Sequence, residues 1–463
     1  MISIALVNGR RLRVAVVGSG PAAFYAAGHL LANEDPPAEV DMIERLPTPW
    51  GLVRLGVAPD HPQLKTVSRA FEKIAARTGF HFLGNVEVGR DVSHEELAAR
   101  YDAIIYAVGS QTDRRLGIPG EDLPGSWAAT ELVAWYNGHP DFQQLSFDLA
   151  RVERAVVVGN GNVALDVARM LALTQEELAP TDTTDQAIEA FVGSGIRELV
   201  VLGRRGPVQA AWTSTELGEM GELAGADIVV DPDELALDPA SEAELAAASN
   251  LVKRNVEILR EFAGREPEGK PRSVRLRFRV SPVAILGEDR VEGVEIVRNR
   301  LEADADGRVR AVATEEREVI PCEIVFRSVG YRGVPLPDVP FDERSGTIPN
   351  ATGRVLDEHG EPVPGLYVAG WIKRGPTGVI GTNKKDAVET VECLLEDVRV
   401  GLLREPAADS TLEELLAGRG VDVVMYAGWE AIDARERSLG EPHGRPRIKL
   451  STRDDLLAAA AGR

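Results

Sequence analysis

An α/β fold built as two parallel-sheet domains, one inserted into the other, is predicted by three observations on this 463-residue chain. The stretch Val14-Ala15-Val16-Val17-Gly18-Ser19-Gly20-Pro21-Ala22-Ala23 reads as a buried strand, a glycine turn and a helix start. The same unit recurs at Ala155-Val156-Val157-Val158-Gly159-Asn160-Gly161-Asn162-Val163-Ala164. A third buried strand, Gly365 to Trp371, is followed by a glycine-rich turn and a long helical stretch that returns to complete the first domain.

In the first unit, apolar and largely β-branched residues make the strand, Gly18 and Gly20 give a turn without Cβ atoms, and Pro21 sits in the first helical turn. A diphosphate fits such a turn because bare backbone can approach its oxygens and the free N–H groups of the helix start carry partial positive charge. Ala23 takes the third small position, where helix and strand pack closely. After Pro36-Pro37, the segment Glu39-Val40-Asp41-Met42-Ile43-Glu44 reads as a second strand. It ends on a carboxylate, where a dinucleotide site places its acceptor for ribose hydroxyls.

Between Arg45 and Gln63 the sequence LPTPWGLVRLGVAPDHP has neither helical nor strand period, which marks either a functional loop or a surface cover. Leu64 to Arg77 returns to helical spacing, with Val67, Ala70, Phe71 and Ile74 on one face. Tyr101 to Gly109 reads as a buried strand whose C-terminal end approaches the ligand.

The second unit continues as a helix through Leu171, and residues 174–195 read as a helical insertion with a capping box at Thr183-Thr184-Asp185-Gln186. Its second strand, Glu198 to Leu202, ends in Gly203-Arg204-Arg205-Gly206-Pro207 where the first unit ended in Glu44. A carboxylate accepts from two ribose hydroxyls, whereas paired guanidinium groups suit a 2′-phosphate. The first site therefore prefers FAD or NAD and the second NADP, the alternative for Arg204 and Arg205 being a solvated surface pair. Arg272 to Val280 alternates charged and apolar residues, with Arg275, Arg277 and Arg279 on one face of a solvent-facing strand or a basic docking face. The acidic run from Glu216 to Glu244 reads as a solvated helical face, Glu216 apart.

After Trp371, the run Lys373-Arg374-Gly375-Pro376-Thr377-Gly378-Val379-Ile380-Gly381 leads into a helix from Thr382 through Val398. A helix start aimed at a flavin stabilises negative charge on its pyrimidine ring. The expected organisation is a pair of Rossmann-like domains, an FAD-binding domain of residues 1–112 and 333–463 with an NADP-binding domain of residues 113–332 inserted.

Composition narrows the function. The net charge of -21 argues against nucleic acid and anionic membrane as partners. No apolar run is long enough to cross a bilayer, and residues 1–10 read as an N-terminal tail and not as a targeting signal. The two cysteines, Cys322 and Cys393, form neither a redox pair nor a metal site by themselves. Their scarcity fits a reducing cytoplasm and leaves electron chemistry to bound cofactors.

With these residues assembled, the chain resembles the adrenodoxin reductase type of ferredoxin–NADP⁺ reductase, most closely its bacterial, actinobacterial-like members. PTPWGLVRLGVAPDHP, VVVGNGNVALDVAR, GRRGP and VAGWIKRGPTGVIGTNKKDA carry the likeness, which covers nearly the whole chain. Ala22 departs from the serine of relatives, though its backbone N–H is what a diphosphate uses. The resemblance implies FAD held by Ala22, Glu44, Leu52, Val88 and Trp371 and by the backbone of Gly378, Val379 and Ile380. It implies NADP held by Asn160, Gly161, Asn162 and Val163, by Arg204 and Arg205 on the 2′-phosphate, by Glu216 toward the nicotinamide, and by Gly378.

His61, Asp166 and Glu216 are the candidates for the reaction centre, with His61 and Glu216 expected to hydrogen-bond near the nicotinamide. Alone, His61 is an ordinary loop histidine and Asp166 a helix-surface carboxylate. The expected activity is hydride transfer between NADP(H) and FAD and single-electron transfer to a ferredoxin or other small iron–sulfur protein. That partner would dock on a local basic patch of Lys253, Arg254, Arg260 and the 275–279 arginines. The alternatives are a flavin-dependent NADPH oxidase or monooxygenase, and a nucleotide-binding sensor without turnover.

Overall fold

The computed structural model describes residues 10–304, 308–378 and 380–462. The chain forms two compact units. One holds the residues up to Thr112, the segment Asn137–Gln143 and the residues from Tyr331 onward; the other holds Asp113–Tyr136 and Gln144–Gly330.

The first unit is organised on β1 (Leu12–Val17), β2 (Ala38–Glu44), β3 (Phe80–Gly84) and β4 (Ala103–Tyr106), joined by β16 (Asn350–Ala351), β17 (Arg354–Leu356) and β18 (Pro362–Val368). Their order is β16-β17-β18-β4-β1-β2-β3, and the run from β18 to β3 is parallel. Buried on both faces, these strands read as continuous apolar runs: β4 has no exposed residue and β1 is buried at all but one position. The helix Pro21–Leu30 covers one face between the helices Ser68–Ala75 and Ile380–Arg399, where Phe24, Phe71, Val391 and Leu394 share a core. On the other face Ala15, Val17, Ile43, Leu83 and Val368 form a second core.

The chain passes between units at β5 (Thr112–Asp113), on either side of Asn137–Gln143, and ahead of β15 (Tyr331–Arg332). The second unit has a six-stranded sheet of β6 (Ser126–Ala128), β7 (Arg154–Val158), β8 (Glu198–Leu202), β9 (Ala226–Val230), β10 (Arg272–Arg277) and β14 (Ile324–Arg327), in the order β6-β14-β7-β8-β10-β9. Every pairing in it is parallel. An antiparallel sheet of β11 (Val280–Leu286), β12 (Gly293–Ala303) and β13 (Val309–Pro321) buries Val294 and Ile296 with Val156 and Val200.

Several sequence expectations change. The loop after Arg45 contains two one-turn helices, Leu52–Leu55 and Pro62–Lys65, too short to produce a period. In the 174–195 insertion, helices Gln175–Leu178 and Asp185–Val192 form, but the capping box belongs to Thr174 and Glu177. Thr184 caps the second helix alone, because Ala187 at its third position has no carboxylate to return the bond. The acidic run 216–244 is no single helical face: it holds the helix end at Glu219, strand β9 and the start of the helix Pro239–Ala247.

Strand β10 is interior in its sheet, bonded by β8 and β9, and its alternation buries Val274 and Leu276 while the Arg275 and Arg277 face is half-buried. Its arginines are neutralised where they emerge. Arg275 donates to Glu198 at 3.0 Å, Arg277 to Glu234 at 2.9 Å, and Arg279 leaves the strand with φ 56° to donate to the Asp233 carbonyl. Arg275 and Arg277 of the expected 275–279 docking face are therefore held in ion pairs, and Arg279 is bonded to a carbonyl. Finally, residues 137–143 pack with the first unit through polar contacts, Lys449 Nζ donating to Asn137 Oδ1 at 3.0 Å and Arg45 pairing with Asp141.

Candidate functional site

In the first unit, β1, β2, β4 and β18 all end at one edge of the sheet. Gly18 takes φ 103°, and a Cβ there would lie 2.5 Å from the Ala107 carbonyl oxygen at the end of β4. Only glycine lets the chain turn this close to its neighbour. A Cβ on Gly20 would meet nothing within 4 Å, so the turn presents bare backbone to open space at the start of the Pro21–Leu30 helix. Pro21 has no N–H to leave unpaired, and Ala22 and Ala23 supply the first helical donors.

Ser19 Oγ donates to Glu44 Oε2 at 2.6 Å and the Leu46 N–H to Oε1 at 3.0 Å. These two bonds aim the carboxylate while leaving lone pairs for ribose hydroxyls. The Trp50 N–H donates to the Ser19 carbonyl at 3.0 Å, so the proline-rich loop lies directly on the glycine turn. Leu52 begins the one-turn helix of that loop, and Val88 is buried in the core, which leaves its backbone as the part that can face a ligand.

From β18 the chain passes through Gly370, whose N–H donates to Asp386 Oδ2 at 2.5 Å, to Trp371. The Trp371 ring stands 5.3 Å from that of Tyr331, and its indole N–H, in a buried position, has no hydrogen-bond partner among the described residues. Gly378 and Ile380 bracket the start of the Ile380–Arg399 helix, and Val379 lies outside the described residues. A bare turn, two helix starts, an aimed carboxylate and an unpartnered indole donor fit a dinucleotide with an aromatic ring system, as FAD has.

The second unit repeats the turn. A Cβ on Gly159 would lie 2.1 Å from the Ser328 carbonyl oxygen, while Gly161 opens on space as the cap of the helix Asn162–Ala172. Asn160 Nδ2 is buried against Gly203 without a hydrogen-bond partner among the described residues. Asn162 Oδ1 accepts from the Thr213 N–H at 3.0 Å, and the side chain of Val163 is half-buried behind it.

The backbone around Arg204 and Arg205 is pinned. Asn299 Nδ2 donates to the Arg204 carbonyl at 2.8 Å and the Arg279 N–H to the Arg205 carbonyl at 3.0 Å. Neither guanidinium has a described ion pair. Burial, then repulsion from Arg204, lowers the Arg205 pKa, with Glu244 opposing. Two adjacent cations left unpaired in a chain of charge -21 fit a dianion, as the NADP 2′-phosphate provides.

His61 is buried at the start of the Pro62–Lys65 turn, in the first unit. In the second, Asp166 accepts from the buried Arg169 at 2.7 Å, and Glu216 accepts from the Thr213 hydroxyl within its own helical cap. Sequence reasoning missed Ser19, Trp50, Asp386 and Thr213. Ser19, Trp50 and Asp386 sit inside quoted motifs, but no period announces that Asp386 reaches back to the Gly370 N–H across the intervening turn; Thr213 lies in none of them.

Residues 12–200 match the family model described as pyridine nucleotide-disulphide oxidoreductase, and the fold with its two turn sites defines an oxidoreductase of that pyridine-nucleotide class. The NADPH-ferredoxin reductase FprA of Mycobacterium tuberculosis is 52% identical, over 97% of this chain and 99% of that protein. The mitochondrial NADPH:adrenodoxin oxidoreductase of Arabidopsis thaliana is 43% identical over 98% of this chain and 96% of its own length. The solved structure of Mycobacterium tuberculosis FprA in complex with NADPH superposes with a TM-score of 0.92 at 51% identity, covering 98% of this chain and all of that one. The chain belongs to the adrenodoxin reductase type of ferredoxin–NADP⁺ reductases.

Disulfide chemistry, which the family description includes, has no equipment here. Cys322 and Cys393 are buried in different units, and burial pushes the Cys322 thiol up to about 12.

Proposed function

We propose that this chain is an FAD-containing NADPH:ferredoxin oxidoreductase. The observation that carries the reading is the presence, in one chain, of two glycine-turn sites with opposite ends: the aimed carboxylate of Glu44 and the unpaired cations Arg204 and Arg205. Its cofactors are FAD, held in the first unit, and NADP, held in the second. FAD supplies the exchange of a hydride for single electrons that links a nicotinamide to an iron–sulfur protein.

The chain's own groups bind and orient. Ala22 and Ala23 N–H groups and the Gly18–Gly20 turn hold the FAD diphosphate, with Gly378 and Ile380 at a second helix start. Trp371 gives the ring system a wall and Leu52 and Val88 bound it. In the second unit Asn160, Gly161, Asn162 and Val163 hold the NADP diphosphate, Arg204 and Arg205 its 2′-phosphate. Asp166, tied to Arg169, fixes the face of the Asn162–Ala172 helix below this turn. His61 and Glu216 act on the nicotinamide half, Glu216 as a hydrogen-bond acceptor and His61 as a group able to hold a proton near neutral pH.

The protein acceptor docks on a local basic surface against the net charge. Among the α-helical candidates expected from sequence, Arg254 is paired with Glu257 and Glu261, which leaves Lys253 and Arg260. We place the protein in the cytoplasm on its scarcity of cysteine; among the described residues no helix is long and apolar enough to cross a membrane.

Anaerobic stopped-flow absorbance tests the reading. NADPH should bleach the flavin and oxidised ferredoxin should restore it in one-electron steps. Bleaching without reoxidation by ferredoxin would move the assignment to oxygen or organic acceptors.

A further inference from the structure

In the first unit, the loop over the glycine turn holds a backbone that its own sequence does not favour. Trp50 has φ 83° and Gly51 φ 49°. The left-handed region is costly for a bulky residue and persists only where the surroundings over-determine it. Local contacts are few: the Trp50 N–H donates to the Ser19 carbonyl at 3.0 Å, and the one-turn helix Leu52–Leu55 closes on the Gly56 N–H. The Trp50 indole N–H is buried without a hydrogen-bond partner among the described residues, so packing alone holds the ring. The conformation brings the loop against the diphosphate turn, since a Cβ on Gly51 would lie 3.1 Å from Gly20 Cα. Leu52 is the next residue.

The contacts that fix this backbone come from the C-terminal part of the chain. The side chains of Arg54 and of Glu436, on the Tyr426–Gly440 helix, are 3% and 0% exposed. Arg54 donates from Nη1 to Oε2 at 2.8 Å and from Nη2 to Oε1 at 2.5 Å. Arg447 donates to the same Oε2 at 3.2 Å and the Leu450 N–H to the same Oε1 at 2.9 Å. Each oxygen thus takes two donors, which leaves the carboxylate one orientation. Lys449 Nζ donates to the Arg54 carbonyl at 3.3 Å, and Trp429 of the same helix meets the Trp50 ring edge-on at 4.8 Å. A buried ion pair stabilises a fold no better than apolar residues of the same volume, so its presence under this loop points to the geometry that a guanidinium fork imposes.

We propose that Arg54 is a positioning residue for FAD: locked by Glu436, it fixes Trp50 and Gly51 against the Gly18–Gly20 turn and so sets the place of Leu52, which bounds the cofactor. This rests on the functional reading above. Arg54 acts through the loop backbone, because its guanidinium is turned to Glu436 and not to the turn.

The test follows flavin release from the full-length holoenzyme after dilution, read as the rise in FAD fluorescence, beside urea midpoints of the same proteins. Arg54→Met/Glu436→Gln removes both charges together and leaves no lone buried one, so it should fold while releasing FAD about tenfold faster than wild type. Arg54→Lys keeps the charge but loses the fork, and should release FAD about threefold faster. Leu416→Ala, in the other core of the same unit, is the stability control: it should lower the urea midpoint and leave release within about twofold of wild type. Wild-type release rates in the double variant, or equally fast release from Leu416→Ala, overturn the positioning role and leave the reductase reading intact. Wild-type protein that neither purifies with flavin nor takes up added FAD overturns both.

Discussion

At Gly18 the backbone and its neighbour leave no room for a side chain: φ is 103° and a Cβ would sit 2.5 Å from a carbonyl oxygen. Gly18→Ala should yield protein that purifies without flavin absorbance, whereas Gly20→Ala, facing open space, should retain some. For Arg204 and Arg205, neutralising both should raise the NADPH KM about tenfold to a hundredfold, the range of lost charge-assisted bonds, and leave the NADH KM nearly unchanged. His139 offers a pH reading. Burial first, then the Arg45 guanidinium, lowers its pKa to about 4, with Asp141 opposing. The folded state thus binds that proton less tightly than the unfolded chain, whose histidine titrates near about 6.5. Its stabilising contribution is full above that value and is lost as pH falls toward 4. His139→Gln should flatten this limb of the urea midpoint against pH relative to wild type.

Among elements, the Tyr426–Gly440 helix acts as a clamp on the loop that covers the glycine turn. Fully buried Glu436 holds Arg54 through two bonds of 2.8 and 2.5 Å and also accepts from Arg447 and the Leu450 N–H. Trp429 meets the Trp50 ring at 4.8 Å and lies under the Arg54 guanidinium. Glu436→Ala would leave Arg54 buried and uncompensated, at a cost of about 3–5 kcal/mol, readable in denaturant midpoints. This clamp was not legible in the sequence, because its partners are hundreds of positions apart and the half that holds Arg54 and Trp50 has no period at all. The strand–turn–helix units were legible, because an apolar run, bare glycines and a helix start are local features. Strand β10 shows the boundary of that method: its alternation of arginine and apolar residues matched an exposed strand, yet carboxylates from other elements neutralise the arginines inside a sheet.

For the whole molecule, ligand linkage gives the clearest expectation. NADP⁺ at a hundred times its Kd should stabilise the unit that binds it by about 2.7 kcal/mol, and NAD⁺ at the same concentration by less, seen as separated shifts in calorimetry. Equal shifts would mean that Arg204 and Arg205 do not read the 2′-phosphate. The sequence by itself determined the two dinucleotide units, their opposite ribose-end chemistry and the late return of the chain to the first sheet, since each depends on residues adjacent along the chain. Tertiary structure alone decided that Asn137–Gln143 packs with the first unit, that Glu436 clamps the loop over the glycine turn, and which arginines stay unpaired. Those outcomes depend on charges and apolar faces that meet only after folding, and a buried or paired arginine has the same sequence signature as a free one.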